Sequence, residues 1–301
     1  MRISRRGALG LGVGALCTAV VAACSRSTST GSPPGLSSTA PPDSVAVTSS
    51  TVATSTTAPA PDPAAVAAAN SGRVPTQWGL AVDGVHTQLV DSGSALEPTL
   101  ALTFDACGGP GGSGVDRALL DVLGAEGVPA TLFLNRRWIE ANPVVVQELV
   151  SSPLFEIGNH GTRHLPLSVN GREAYGITGT ADADEAAEEV WVNHGVLTDL
   201  LGRPPVWFRS GTAHYDEVAT AIAQQLGEQP VGFTTNGDFG ATASAQQVVG
   251  ELTAAPAGGI VLAHMNQPAS ATSAGIATAV AQLRSRGVRF VTLSGGGGTR
   301  P

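Results

Sequence analysis

The stretch Thr99–Gly109 reads TLALTFDACGG. Its first six residues are β-branched or apolar and read as a buried strand, and a carboxylate, Asp105, follows at once, ahead of a glycine-rich loop. The pattern recurs downstream. Runs at 128–134 (VPATLFL), 155–158 (FEIG), 205–208 (PVWF), 230–235 (PVGFTT), 259–263 (GIVLA) and 288–293 (VRFVTL) read as strands. Segments 116–126, 143–151, 182–201, 216–227, 244–255 and 273–286 read as the helices between them; the third opens on acids that suit a helix N-terminus. Seven strands alternating with six helices predict an α/β fold, a distorted (β/α) barrel with about seven parallel strands.

The residues just past the strands share a character. Asp105, Asn135, Asn159-His160, Arg209, Asn236 with Asp238, and His264 follow the first six strands in turn. In parallel barrels such positions share the C-terminal face, where active sites are built. Four of the chain's six histidines, His160, His164, His214 and His264, fall at or just past these ends. This convergence points to an enzyme.

Composition removes several alternatives. With 24 acidic against 16 basic residues and a net charge of −8, and with no basic stripe, the chain is not expected to bind nucleic acid. Every basic residue is Arg, which excludes a Schiff-base lysine, a P-loop lysine and a serine–lysine pair. Residues 1–24 (MRISRRGALGLGVGALCTAVVAAC) read as a signal peptide. Ser4–Leu9 resembles a twin-arginine signal, and Val21-Ala22-Ala23-Cys24 resembles a lipobox whose Cys24 is lipidated. The expected location is the outer face of the cytoplasmic membrane, held through the N-terminal lipid. Residues 25–75, rich in Ser, Thr, Pro and Ala, read as a disordered tether, leaving a folded domain over 76–296. Cys17 and Cys24 lie in the export segment, so Cys107 stands alone in the domain and reads as a small packing residue.

His160 and His164 in NHGTRH are four apart, so a tight loop can aim both imidazoles at one point. Two histidines with a carboxylate suit a divalent cation that activates water, with Asp105 and His264 as candidate base and acid. Asp238 would orient His264, and Arg209 would keep Asp105 ionised.

Together these motifs resemble the polysaccharide deacetylases over about residues 97–295. Thr103-Phe104-Asp105 resembles the family's TFDD motif, whose first Asp is the catalytic base. His160 and His164 match its H-[ST]-x-x-H metal ligands. Arg209 matches the arginine that contacts the base, Asp238 the aspartate that pairs with the acid, and Leu262-Ala263-His264 the L-x-H motif carrying that acid. The resemblance implies an oxyanion-binding backbone N–H near Thr212, an acetylated glycan as substrate, and a divalent metal: zinc, with cobalt or nickel as alternatives.

There are departures from the family pattern. Ala106 stands where the family places its third metal ligand, and Gly161 replaces a Ser or Thr for which Thr162 is the nearest substitute. After Arg209 the sequence is Ser210-Gly211-Thr212, without the family's Pro and aromatic residue, with Tyr215 as a compensating candidate. A third ligand would then come from Asp105 itself, His214 or Asp116. The expected activity is metal-dependent removal of N-acetyl groups. The alternatives are an O-acetyl esterase and a non-catalytic glycan-binding lipoprotein.

Overall fold

Glu97–Ala106 form the longest strand, β1, and the fold is built around it. The computed structural model describes residues 60–89, 93–94 and 97–295; the signal peptide, Cys24 and the tether as far as residue 59 lie outside the described residues. The other strands of the main sheet are β2 (Ala130–Leu134), β3 (Phe155–Asn159), β4 (Trp207–Phe208), β5 (Gln229–Pro230), β6 (Thr235–Asn236), β7 (Gly259–His264) and β8 (Arg289–Val291). Their order is β5-β4-β3-β2-β1-β7-β6, with β8 also against β1, and every one of these pairings is parallel.

The ends of this sheet, β5 and β6, are the two ends of one stretch, Gln229–Asn236. The sheet therefore curls into a distorted barrel of seven parallel strands when that stretch counts as one. The single strand expected at 230–235 breaks because its start must pair with β4 and its end with β7. Bridges from His86 to Val231 and from Gln88 to Gly259 run beside the break.

Strict alternation along β1 sorts its side chains into two layers. Leu100, Leu102, Phe104 and Ala106 pack outward with Leu119, Leu123, Leu132 and Trp138, beneath the helices. Ala101 packs inside the barrel with Phe133, Trp207, Ile260 and Val291. Thr103 and Asp105 share that inner face.

The six expected helices are present: α2 (Arg117–Ala125), α4 (Pro143–Ser151), α5 (Ala183–Leu201), α6 (Glu217–Gln225), α7 (Ala245–Ala254) and α8 (Thr272–Ser285). Two more, α1 (Pro63–Asn70) and α3 (Arg136–Ala141), were not expected. Helix α1 falls inside the span read as tether. Asp62 caps it, Pro63 opens it, its alanines favour it, and it docks on α5 and α6 through Ala67 and an Asn70–Gln225 hydrogen bond of 3.1 Å.

The chain after α1 is tied down by one carboxylate. Glu217 accepts hydrogen bonds from the Thr76 backbone (2.6 Å), the Thr76 hydroxyl (2.9 Å) and the Gln77 backbone (2.9 Å). Burial opposes the charge, but these donors hold the Glu217 pKa down at about 2, from 4.5. A depressed carboxylate pKa contributes stability that is complete above the unfolded-state value and is lost as pH falls through the folded one. Urea unfolding of the wild type is therefore expected to weaken between about pH 4.5 and pH 2 by more than that of Glu217→Gln; parallel pH profiles would contradict this anchoring role.

Candidate active site

Register along the sheet brings the first two functional groups together. Asp105 at the end of β1 pairs directly with His264 at the end of β7. Both line a cleft of about 480 Å³ at the mouth of the barrel, together with His164, Thr212, Tyr175 and Phe239.

Asp105 is held from below. Arg209, fully buried, donates from Nη1 to Asp105 Oδ1 (2.9 Å) and to Thr103 Oγ1 (2.8 Å), and from Nη2 to the Gly232 carbonyl (2.9 Å). Its guanidinium lies 4.2 Å from the centre of the Phe133 ring. Burial works against a charged Asp105, yet the Arg209 charge outweighs it and keeps the carboxyl pKa below its ordinary value. The group is ionised and aimed, as a base must be.

His264 is set up in the opposite sense. Its Nδ1 lies 2.9 Å from Asp238 Oδ1, while its backbone N–H and the Thr272 hydroxyl both donate to Asp238 Oδ2 (2.8 and 3.0 Å). Burial disfavours the imidazolium, but the hydrogen bond to buried Asp238 wins and holds the His264 pKa well above that of a free imidazole. The ring therefore holds its proton more firmly than a free imidazole, beside Asp105 on the neighbouring strand.

The two loop histidines converge beside Asp105. His160 Nδ1 donates to the Arg209 carbonyl (2.9 Å), which leaves Nε2 as a free lone pair 3.8 Å from Asp105 Oδ2. The His160 and His164 rings meet edge to face at 4.8 Å. His164 Nε2 is buried without a hydrogen-bond partner among the described residues. Cys107 Sγ stands 3.8 Å from His160 Nε2, and the donor atoms of Cys107, His160 and His164 all lie within 4.8 Å of one another. Two aimed nitrogens, one of them orphaned, and a sulfur form a donor set that fits a divalent cation.

This corrects the reading of Cys107 as a packing residue. Its side chain is only partly buried; Ala106 packs in the outer core, and the Cys107 sulfur sits beside the two loop histidines. Burial opposes the thiolate, but His164, His160 and His264 around the sulfur outweigh it and hold the Cys107 pKa well below the ordinary thiol range. Burial likewise opposes charge on His160, and Asp105 and Cys107 overcome it and raise that imidazole's pKa. A cation would meet the same negative field.

The other proposed donors are engaged elsewhere. Asp116 caps α2, accepting from the Leu119 backbone at 2.9 Å. His214 Nδ1 bonds the Thr212 carbonyl (2.8 Å), and its ring sits between Trp78 and Tyr175. Tyr215 does not face the cleft: it is fully buried, accepts from the Ser210 backbone and donates to the Val231 carbonyl, both at 2.9 Å. It braces the chain just after Arg209.

One residue that the sequence reading passed over shapes the histidine loop. Glu189 on α5, fully buried, accepts from the backbone N–H of Arg163 (3.0 Å) and of Leu165 (3.1 Å), clasping His164 between them. His164 has φ +67°, unfavourable for a residue with a side chain and sustained by this clasp. Gly161 is explained by the same carboxylate: a Cβ there would lie 2.5 Å from Glu189 Oε1. Thr162 turns to α5 instead, donating to the Glu189 carbonyl at 2.9 Å. The signal was present in the sequence, because Glu189 shares the helix face of Ala186, Val190 and Asn193 rather than that of the exposed acids before it.

With this geometry, the chain's likeness to known proteins has a physical basis. Residues 92–231 match the sequence model of the polysaccharide deacetylases. The peptidoglycan-N-acetylglucosamine deacetylase of Bacillus cereus is 27% identical over 202 residues, covering 66% of this chain and 87% of that protein. Two solved structures share the fold. A family 4 acetyl xylan esterase from Clostridium thermocellum, in complex with a cobalt ion, has a TM-score of 0.53 at 23% identity, over 65% of this chain and 88% of that one. A family 4 pseudoenzyme from Bacillus anthracis has a TM-score of 0.55 at 20% identity, over 66% of this chain and 64% of that one, so this chain spans just under two thirds of its length. The chain is thus similar to the polysaccharide deacetylases over residues 92–231, and the matched region carries Asp105, His160, His164 and Arg209, with His264 beyond it.

Proposed function

We propose that the protein hydrolyses N-acetyl groups on an envelope or extracellular glycan, releasing acetate and leaving a free amine. The observation that carries this reading is the register pairing of ionised Asp105 with protonated His264 beside the His160–His164 pair. Asp105 takes a proton from the attacking water as its oxygen bonds to the acetyl carbon. His264, kept charged by Asp238, gives a proton to the nitrogen as the carbon–nitrogen bond breaks. The backbone N–H of Thr212, which lines the same cleft, supports the developing oxyanion. Arg209 holds Asp105 in place and ionised. A divalent cation, zinc or alternatively cobalt or nickel, would be held by His160 and His164 with Cys107 beside them, and supplies Lewis-acid polarisation and water activation.

The cleft's surface favours a sugar chain. Tyr175 and Phe239 are the two aromatic residues among the exposed large hydrophobic side chains described, and both line the cleft. Tyr175 sits at the turn of a hairpin (Glu173–Ala174 with Ile177–Thr178), its ring edge-on to His214 at 5.1 Å. Flat apolar faces beside the reacting groups suit the apolar faces of pyranose rings.

The same residues suit ester cleavage, so an O-acetyl esterase is the second reading. A non-catalytic glycan binder rested on Ala106, and the sulfur of Cys107 beside His160 and His164 weakens that ground. For the cell, we propose export, lipidation of Cys24 and a tether that holds the domain at the outer face of the cytoplasmic membrane. No helix among the described residues is long and apolar enough to cross a membrane.

Purified zinc-loaded protein is expected to release acetate from N-acetylated glycans. Asp105→Asn and His264→Ala should each lower the rate by about 10²–10⁴-fold, and no release from any acetylated glycan would sink the reading. Amide and ester substrates compared on one preparation separate the two acetyl classes, with N-acetyl glycan expected to be turned over faster. Tyr175→Ala should raise KM for an acetylated oligosaccharide while leaving cleavage of a small aryl acetate unchanged; equal loss on both would contradict a sugar platform. In cells, Cys24→Ala should move the protein from the membrane fraction to the medium, and retention in the membrane would contradict lipid anchoring.

A further inference from the structure

Resting on the reading of this cleft as a metal-assisted deacetylase site, we propose that Cys107 is the third protein ligand of the cation. It replaces the carboxylate expected at position 106, and it makes the site select zinc over hard cations such as magnesium and manganese.

Strand alternation sets which way each side chain at the end of β1 points. Ala106 is fully buried in the apolar layer with Leu119, Leu123 and Trp138, so a carboxylate at that position would point away from the histidines. The next residue points back. Gly108, with φ +69°, then turns the chain so closely against α3 that a Cβ there would lie 2.5 Å from the Trp138 backbone nitrogen, which fixes where the chain leaves Cys107.

The sulfur–nitrogen distance to His160 agrees with a shared ion. Zinc–sulfur bonds of about 2.3 Å and zinc–nitrogen bonds of about 2.0 Å, at a tetrahedral angle, separate the two donors by about 3.5 Å. Cys107 Sγ and His160 Nε2 are 3.8 Å apart. His164 contributes a buried nitrogen with no other partner among the described residues. Asp105 stands outside this three-donor group, and its Oδ1 is committed to Arg209.

The chemistry of the exchange follows. A thiolate carries the same single negative charge as the carboxylate it replaces, so two imidazoles and one anion still face the cation. Its softness differs: thiolate and imidazole suit zinc, whereas oxygen ligands suit magnesium and manganese.

The test titrates cobalt(II), zinc and manganese into the full folded domain of the wild type and of Cys107→Ser, Cys107→Asp and Ala106→Asp. The wild type should show a near-ultraviolet thiolate-to-cobalt charge-transfer band, and zinc but not magnesium should protect Cys107 from alkylation. Cys107→Ser should lose the band and bind zinc at least about tenfold more weakly, since even partners one step removed from a metal cost that much. Cys107→Asp should keep zinc and gain manganese. A cobalt band unchanged in Cys107→Ser, or tighter zinc binding by Ala106→Asp, would overturn the proposal. Acetate release is scored separately. Acetate release without a thiolate band refutes the ligand assignment alone, and a thiolate band without acetate release refutes the deacetylase reading alone.

Discussion

The buried guanidinium of Arg209 is the constraint on which the site rests. It ties Thr103 and Asp105 on β1 to Gly232 in the stretch that closes the barrel, and it lies over Phe133 of β2. Its own carbonyl accepts from His160 Nδ1, so the same residue sets the charge of the base and the tautomer of an imidazole. Breaking a buried ion pair of this kind by removing one partner costs about 3–5 kcal/mol, because the other charge is left stranded in the interior. Tyr215 secures the chain immediately behind it through Ser210.

Around that point the groups divide into opposed environments. Asp105 is surrounded by positive charge and stays ionised, whereas His264 is bound to a buried carboxylate and stays protonated. Separating the pKa values of two neighbouring groups is what assigns base and acid. The histidine loop is governed by a different carboxylate. Glu189 gathers backbone N–H groups on both sides of His164 and thereby sustains its left-handed conformation. Gly161, a departure from the family pattern, is the residue that makes room for it.

Much of this was legible in the sequence for a simple reason. Buried parallel strands read as short apolar runs, and the polar residue ending each run marks the mouth of the barrel. Asp105, His160, Arg209, Asp238 and His264 were found that way, and Asp105–Arg209 and Asp238–His264 are the pairings the structure displays. What stayed hidden had physical causes. Helix α1 lies in an alanine- and proline-rich stretch whose composition resembles the tether before it, and α3 is six residues long, too short for periodicity. Cys107 was read as packing because a lone free Cys is among the most buried residue types, whereas its sulfur stands 3.8 Å from His160 Nε2. Glu189 was concealed within an acidic run whose earlier members cap and solvate α5.

On the proposed reading, Cys107 just past β1 and the two histidines of the loop form one metal centre beside Asp105. Anomalous diffraction at the zinc edge from crystals grown with zinc tests it most directly. The account predicts one zinc peak within bonding distance of His160, His164 and Cys107, with Asp105 alongside and still paired with Arg209. A fully occupied zinc bound elsewhere, or bound by the histidines with the Cys107 sulfur turned away, would contradict it.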